Sequence, residues 1–151
     1  MRCNMDRFDE QILMALQENA RISNVQLADR VGLSASACSR RIQALEELGV
    51  IAGYRAVLDR EQIGLPMTVL VNVSIQTLSR DQMAAFESAV MDIPEVIVCY
   101  LVSGSSDYLL RIAARDLPDF ERIHTEHLST LPFVARIESN FALREVVNRS
   151  P

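Results

Sequence analysis

Apolar residues in this chain change their spacing near residue 60, and that change constrains the fold more than any other feature. Before it they recur every three or four residues, the repeat of a helix face; after it several stretches alternate every second residue, the repeat of a half-buried strand. Phe8, Ile12, Leu13 and Leu16 mark a first helix. Asp6 and Asp9 stand at its start, where backbone N–H groups lack partners. Asn19-Ala20-Arg21-Ile22-Ser23 breaks the pattern. A second, short helix turns Leu27, Ala28 and Val31 inward and stops at Gly32, a residue suited to positive φ. Ser34 caps a third helix whose stripe is Cys38, Ile42, Leu45 and Leu48, ending at Gly49.

Beyond residue 60, Val69, Val71, Val73 and Ile75 alternate with Asn72, Ser74 and Gln76, which predicts a strand with one face in a core. Arg80 to Asp92 predicts a helix with Met83, Phe86 and Val90 inward, closed by Ile93-Pro94. Glu95 to Ser103 and Tyr108 to Ala114 predict two strands around the turn Gly104-Ser105-Ser106-Asp107. Leu117 to Leu131 predicts a helix with Phe120, Ile123, Leu128 and Leu131 inward. A fourth strand follows from Val134 to Leu143, with Ala135, Ile137, Ser139, Phe141 and Leu143 alternating. The order β-α-β-β-α-β is the split βαβ arrangement, ferredoxin-like, with both helices on one face of an antiparallel sheet and the other face uncovered. The fold class is therefore α+β. Its first domain spans 1–60, three helices in a helix-turn-helix, and its second spans 61–151.

Composition narrows the class of protein. At 151 residues the chain has room for one or two small domains, and its apolar runs stop far short of the ~20 residues of a membrane span. The start, Met1-Arg2-Cys3-Asn4-Met5-Asp6, lacks the basic and apolar regions of a signal peptide, so a cytoplasmic protein with no membrane association is expected. Cys3, Cys38 and Cys99 form no Cys-x-x-Cys pair and supply neither a disulfide framework nor a zinc ribbon. Residues 1–60 hold eight Arg and eight acids, net zero, whereas 61–151 hold seven Arg and twelve acids, so the whole charge of −5 lies in the second half.

Three groups of residues carry chemistry. On the third helix, Ser34, Ser36, Ser39, Arg40, Arg41 and Gln43 are of the types that enter a major groove: Arg reads guanine, Gln reads adenine, and Ser reaches phosphates or bases. Arg40 and Gln43 are placed to read bases, while Arg41 either contacts phosphate or supports the helix. An ordinary three-helix core with a solvated polar face fits the same spacing. A neutral domain gives weak phosphate attraction, which dimerisation would double. His124 and His127, with Glu121 and Glu126, supply the alternative reading, a small ferredoxin-like enzyme or metal sensor, since residues 121 and 124 share a helix face, as do 124 and 127. No further His or Cys completes a tetrahedral set, so no metal is expected. The five glycines form neither a dinucleotide nor a Walker pattern, and no Gly-x-Ser-x-Gly is present, so neither a cofactor nor catalysis is expected. The turn Gly104 to Asp107 offers backbone N–H groups to a carboxylate and the Asp107 side chain to an ammonium, the two ends of an α-amino acid. A plain hairpin explains those residues too.

Taken in order, Met5-Asp6-Arg7-Phe8-Asp9-Glu10-Gln11-Ile12-Leu13, Leu16-Gln17-Glu18-Asn19-Ala20-Arg21, Leu27-Ala28-Asp29-Arg30-Val31-Gly32-Leu33-Ser34, Cys38-Ser39-Arg40-Arg41-Ile42, Gly49-Val50-Ile51-Ala52-Gly53-Tyr54 and Gly104-Ser105-Ser106-Asp107-Tyr108 resemble the Lrp/AsnC family of transcription regulators over essentially the whole chain. The resemblance implies an N-terminal domain that binds double-stranded DNA, a linking strand around Val50 to Leu58, and a C-terminal domain that senses a small-molecule effector, an amino acid. It further implies a homo-oligomer, dimers joined through the sensing domain that can associate into tetramers or octamers, with effector sites between dimers. By position those sites comprise Tyr100, Gly104, Ser105, Ser106, Asp107, Ser139 and Phe141. Met5 stands where the family usually has Leu. Ser105-Ser106 stands where an acidic and an aromatic residue are frequent, which leaves leucine, methionine, glutamine, asparagine and lysine all open.

Overall fold

The computed structural model describes residues 5–148; Met1–Asn4, with Cys3, and residues 149–151 lie outside the described part. The chain divides into two compact units between Val57 and Leu58.

The first unit is three helices, α1 (Arg7–Glu18), α2 (Asn24–Val31) and α3 (Ala35–Glu47). Each begins where a side chain satisfies free N–H groups. Asp6 accepts from Phe8 and Asp9 N–H while the Asp9 carboxylate accepts from Asp6 N–H, a reciprocal box repeated by Ser23 and Gln26 at α2. Ser34 accepts from Ala37 N–H at α3. Gly32 takes φ 74°, so the α2–α3 turn is sharp where any side chain would be strained. Ile12, Ala15, Leu27, Ala28, Val31, Cys38 and Leu45 form the core.

Of the other residues expected inward, Leu13, Leu16 and Ile42 pack half-buried against this core, and Phe8 and Leu48 lie outside it. Leu48 is the C-cap of α3 and is 64% exposed, because the helix ends before carrying it back over the core. Phe8 sits at the rim under the Arg41 guanidinium, 5.5 Å from its ring centroid. Ala15 takes the buried place, its small size admitting close helix approach. The expected linking strand over Val50 to Leu58 is also not formed: residues 52–58 make no ladder bonds, since a strand exists only beside a partner strand.

The second unit runs β1 (Met67–Ile75), α4 (Arg80–Met91), β2 (Val96–Leu101), β3 (Tyr108–Ala114), α5 (Leu117–Glu126), a 3-10 turn (Leu128–Thr130) and β4 (Val134–Phe141). Sheet order is β2-β3-β1-β4, with antiparallel pairing throughout. The last helix is shorter than its apolar spacing suggests: α5 ends at His127 and the tighter 3-10 turn then brings Leu128 and Leu131 into the core. β4 stops at Phe141, leaving Leu143 98% exposed.

Register fixes the two faces. Val69, Val71 and Val73 lie beside Ile112, Leu110 and Tyr108, and these pack with Phe86, Val90, Phe120 and Ile123 of the helices. On the opposite, open face, Leu70 lies between Arg111 and Asn140, and Asn72 lies between Leu109 and Glu138. Val98 and Tyr100 continue those two rows on β2. Leu70, Val98, Tyr100, Leu109 and Arg111 border a hollow of about 100 Å³ there.

A carboxylate network holds the start of α5. Asp116 caps the helix, and buried Asp119 accepts from the Arg115 backbone N–H and from the guanidinium groups of Arg115 and Arg122. Arg122 also pairs with Glu95 at 2.9 Å. These bonds, the Arg115 contact foremost, hold the Asp119 carboxyl well below the usual carboxylate range. A depressed pKa contributes stability in full above about pH 4 that fades as pH falls further. Asp119→Asn should therefore cost about 2 kcal/mol at pH 7. In denaturant unfolding the gap to wild type should shrink at pH 3; an undiminished gap would contradict the assignment.

Candidate functional site

Helix α3 presents Ser36, Ser39, Arg40 and Gln43 to solvent while Cys38 and Leu45 hold its other side in the core. The six residues expected to meet DNA do not play one role. Ser34 is the N-cap, and its hydroxyl also bonds that of Ser36 at 3.1 Å. Arg41 reaches back instead of out, pairing with Asp9 at 2.7 Å and Asp6 at 2.9 Å. Those two carboxylates hold its pKa above the ordinary guanidinium value, while the Asp9 backbone N–H, together with Arg41, holds the Asp6 carboxyl below the ordinary carboxylate value. Of its two anticipated roles, supporting the helix is the one that this geometry serves. Arg40, one residue earlier, is exposed and makes no ion pair among the described residues. The Gln43 side-chain amide donates to Glu47 at 2.9 Å, an exposed bond that a base edge can replace.

Asn24 was not singled out by sequence reasoning. It joins Ser39, Ile42, Gln43 and Glu46 around a shallow hollow of about 300 Å³. Only the crossing of α2 over α3 brings it there, and no spacing within either helix signals it. A larger hollow of about 450 Å³ is walled by Leu13, Leu16, Val50, Ile51 and Val57, with Gln17, Tyr54 and Arg55 at its polar side.

In the second unit the turn after β2 is pinned at Asp107. Its backbone N–H donates to the Val73 carbonyl at 3.0 Å, its carbonyl accepts from Val102 N–H, and carboxylate Oδ2 accepts from Ile75 N–H at 2.9 Å. One carboxylate thus extends the β1–β3 ladder past its last residue pair. Among the described residues Oδ1 makes no bond, so Asp107 is a strand cap with one oxygen to spare. The Ser106 hydroxyl bonds Asn72 Oδ1 at 3.3 Å. Gly104 has φ 139°, a conformation side chains rarely adopt. Next to Asp107, buried Tyr108 donates to Glu87 at 2.8 Å, and burial with that carboxylate pushes its phenol pKa far up.

The seven expected effector residues do not converge within one chain. Gly104, Ser105, Ser106 and Asp107 form the turn, and Tyr100 lies on the open face of edge strand β2. Ser139 and Phe141 belong to the opposite edge strand and to the helix-covered face, where Ser139 lies beside Val71 and Phe141 packs edge-on against Phe120 at 5.3 Å. Alternation separates them, since adjacent residues point to opposite faces. His124 packs against the Phe120 ring and the Ser129 hydroxyl, and His127 ends α5. Among the described residues no three His, Cys, Asp or Glu side chains cluster as a metal site.

A helix-turn-helix with an outward polar helix face, followed by a split βαβ domain with a small-residue turn, defines a class: DNA-binding transcriptional regulators carrying a ligand-binding domain. The comparisons agree. Residues 5–52 match the family model for winged helix-turn-helix DNA-binding, and residues 68–151 match the Lrp/AsnC ligand binding domain. The Bkd operon transcriptional regulator of Pseudomonas aeruginosa is 41% identical, over 97% of this chain and 95% of its own. The leucine-responsive regulatory protein of Rhizobium meliloti is 37% identical over 97% and 94%. A transcriptional regulator from Neisseria meningitidis, solved as an L-Met complex, superposes with a TM-score of 0.92 at 35% identity, covering 97% of this chain and 95% of that one. This chain belongs to the Lrp/AsnC family. No helix among the described residues is long and apolar enough to cross a membrane.

Because Asp107 caps the ladder, Asp107→Ala should lower the unfolding free energy of the ligand-free protein by about 1–2 kcal/mol. Unfolding identical to wild type would contradict the capping role.

Proposed function

We propose that the chain is a cytoplasmic, non-catalytic regulator in which residues 1–60 read DNA through Arg40 and Gln43, with Ser36 and Ser39 on the flank, while residues 61–151 bind an amino acid and join copies into a homo-oligomer. The observation that carries the DNA reading is the contrast between neighbouring arginines: Arg41 is held by two carboxylates, and Arg40 projects without an ion-pair partner among the described residues. A structural arginine and a reading arginine must differ in this way. Arg40→Ala should weaken operator binding by about 1–3 kcal/mol, relax preference at one base position and leave the melting temperature unchanged. Arg41→Met should lower the melting temperature by a few degrees and keep the base preference. Fluorescence anisotropy with single-base operator variants, beside thermal unfolding, separates them. The reverse pattern would overturn the assignment.

For the effector, the turn offers backbone N–H groups at Gly104, Ser105 and Ser106 and the spare oxygen of Asp107. A carboxylate and an ammonium two bonds apart complement such a set. Ser139 and Phe141 contribute only from another subunit, which fits a site between copies. The relatives named for leucine and solved with L-Met make those two amino acids the first probes. Calorimetry should detect binding of a free amino acid that is lost both for its carboxamide and for its N-acetyl derivative. Equal binding of the derivatives would remove the turn from the role. The open face, with Leu70, Val98, Tyr100 and Leu109 at its centre, supplies the apolar surface a second copy would bury.

A further inference from the structure

Arg111 sits in the middle strand row of the open face, and its Nε is shielded from solvent yet makes no hydrogen bond. Leu70, Val98, Tyr100 and Leu109 around it are apolar. Covering this face with another protein surface removes the remaining solvent from the guanidinium, and a desolvated cation without an acceptor is strongly unfavourable. The covering surface must therefore bring an acceptor. Glu138 is the one carboxylate among the described strand residues of the open face; Asp107, just before β3, has one oxygen on Ile75 N–H and turns the other to the proposed effector site. Glu138 has only a long contact to Arg136, 3.6 Å, between two exposed side chains.

Geometry relates the two residues. Arg111 lies beside Leu70 on one flank of β1, and Glu138 lies beside Asn72 on the other. The line joining them crosses β1 at Val71, the middle residue of that nine-residue strand. Within one chain they stand two strand spacings and a two-residue offset apart, about 12 Å, and no bond joins them. A two-fold axis lying between two facing sheets and crossing that line at right angles places Arg111 of each copy over Glu138 of the other. Such an interface is self-complementary: what the first residue does to the second is repeated in reverse.

We propose that Arg111 and Glu138 form a reciprocal charge pair across the two-fold sheet interface and set its register and its selectivity for copies of this same chain. The inference rests on the reading that the open face pairs with a second copy. The apolar residues supply the buried area, and the charge pair rejects sheets that lack the matching carboxylate.

The test is a charge swap. Arg111→Glu places two acids in each facing position and Glu138→Arg places two bases there, so each single variant should weaken its own dimer by roughly a hundredfold. Combining both changes in one chain should restore the dimer. Mixing the two single variants should give heterodimers almost exclusively, because each then supplies what the other lacks. Sedimentation equilibrium gives the affinities, native mass spectrometry of differently tagged chains gives the pairing, and circular dichroism confirms that each variant is folded. A monomeric wild type would overturn the dimer reading together with the pair. A dimeric wild type whose single variants remain dimeric and mix statistically would overturn the pair alone. Unfolded single variants still leave the double variant to decide, since restored dimerisation there requires the pair and a permanently monomeric double variant refutes it.

Discussion

Strand β1 is paired on both sides, with β3 along one edge and β4 along the other, and every functional assignment in the second unit depends on that double register. A shift of one residue would exchange Val69, Val71 and Val73 for Leu70, Asn72 and Ser74 and empty the core. The three valines are fully buried, so the register is strongly specified. It puts Tyr100, Arg111 and Glu138 on the open face and Ser139 and Phe141 beneath the helices. Asp107 secures the end of the same strand by accepting from Ile75 N–H, which ties the turn to the sheet and holds it in one shape. A turn fixed in this way can present N–H groups to a ligand without first being ordered, and that lowers the entropic cost of binding.

The first unit solves a similar problem with charge. A helix that must lie in a groove has to be rigid behind and free in front. Cys38 and Leu45 anchor α3 in the core, and Arg41 fastens it to the capping residues Asp6 and Asp9 of α1. The residues that cap one helix therefore also position another. Little net charge remains for phosphates, which supports the proposed joining of copies, because two joined units would gain both contacts and spacing.

Much of this was readable in the chain. The alternation of Val69 to Ile75, the Asp6 and Ser34 caps, the glycine at 32 and the βαββαβ order are local patterns, and local patterns are what periodicity records. Long-range partners were not readable. Asp9 to Arg41 and Ile75 to Asp107 are each 32 residues apart, and no spacing rule marks which arginine turns inward or which carboxylate caps a strand. Asn24 entered the α3 surface through helix crossing, and Leu48 left the core because its helix ended. The expected strand at 50–58 asked for a partner that a single chain does not supply.

The account stands on paired helix-turn-helix units reading DNA from one side. Hydroxyl-radical footprinting on a fragment that the protein selects from random duplex DNA tests that most directly. It should show two or more protected segments on one face of the duplex, with centres about 10 bp apart or at multiples of that spacing. Protection of a single isolated segment, or uniform protection independent of sequence, would contradict it.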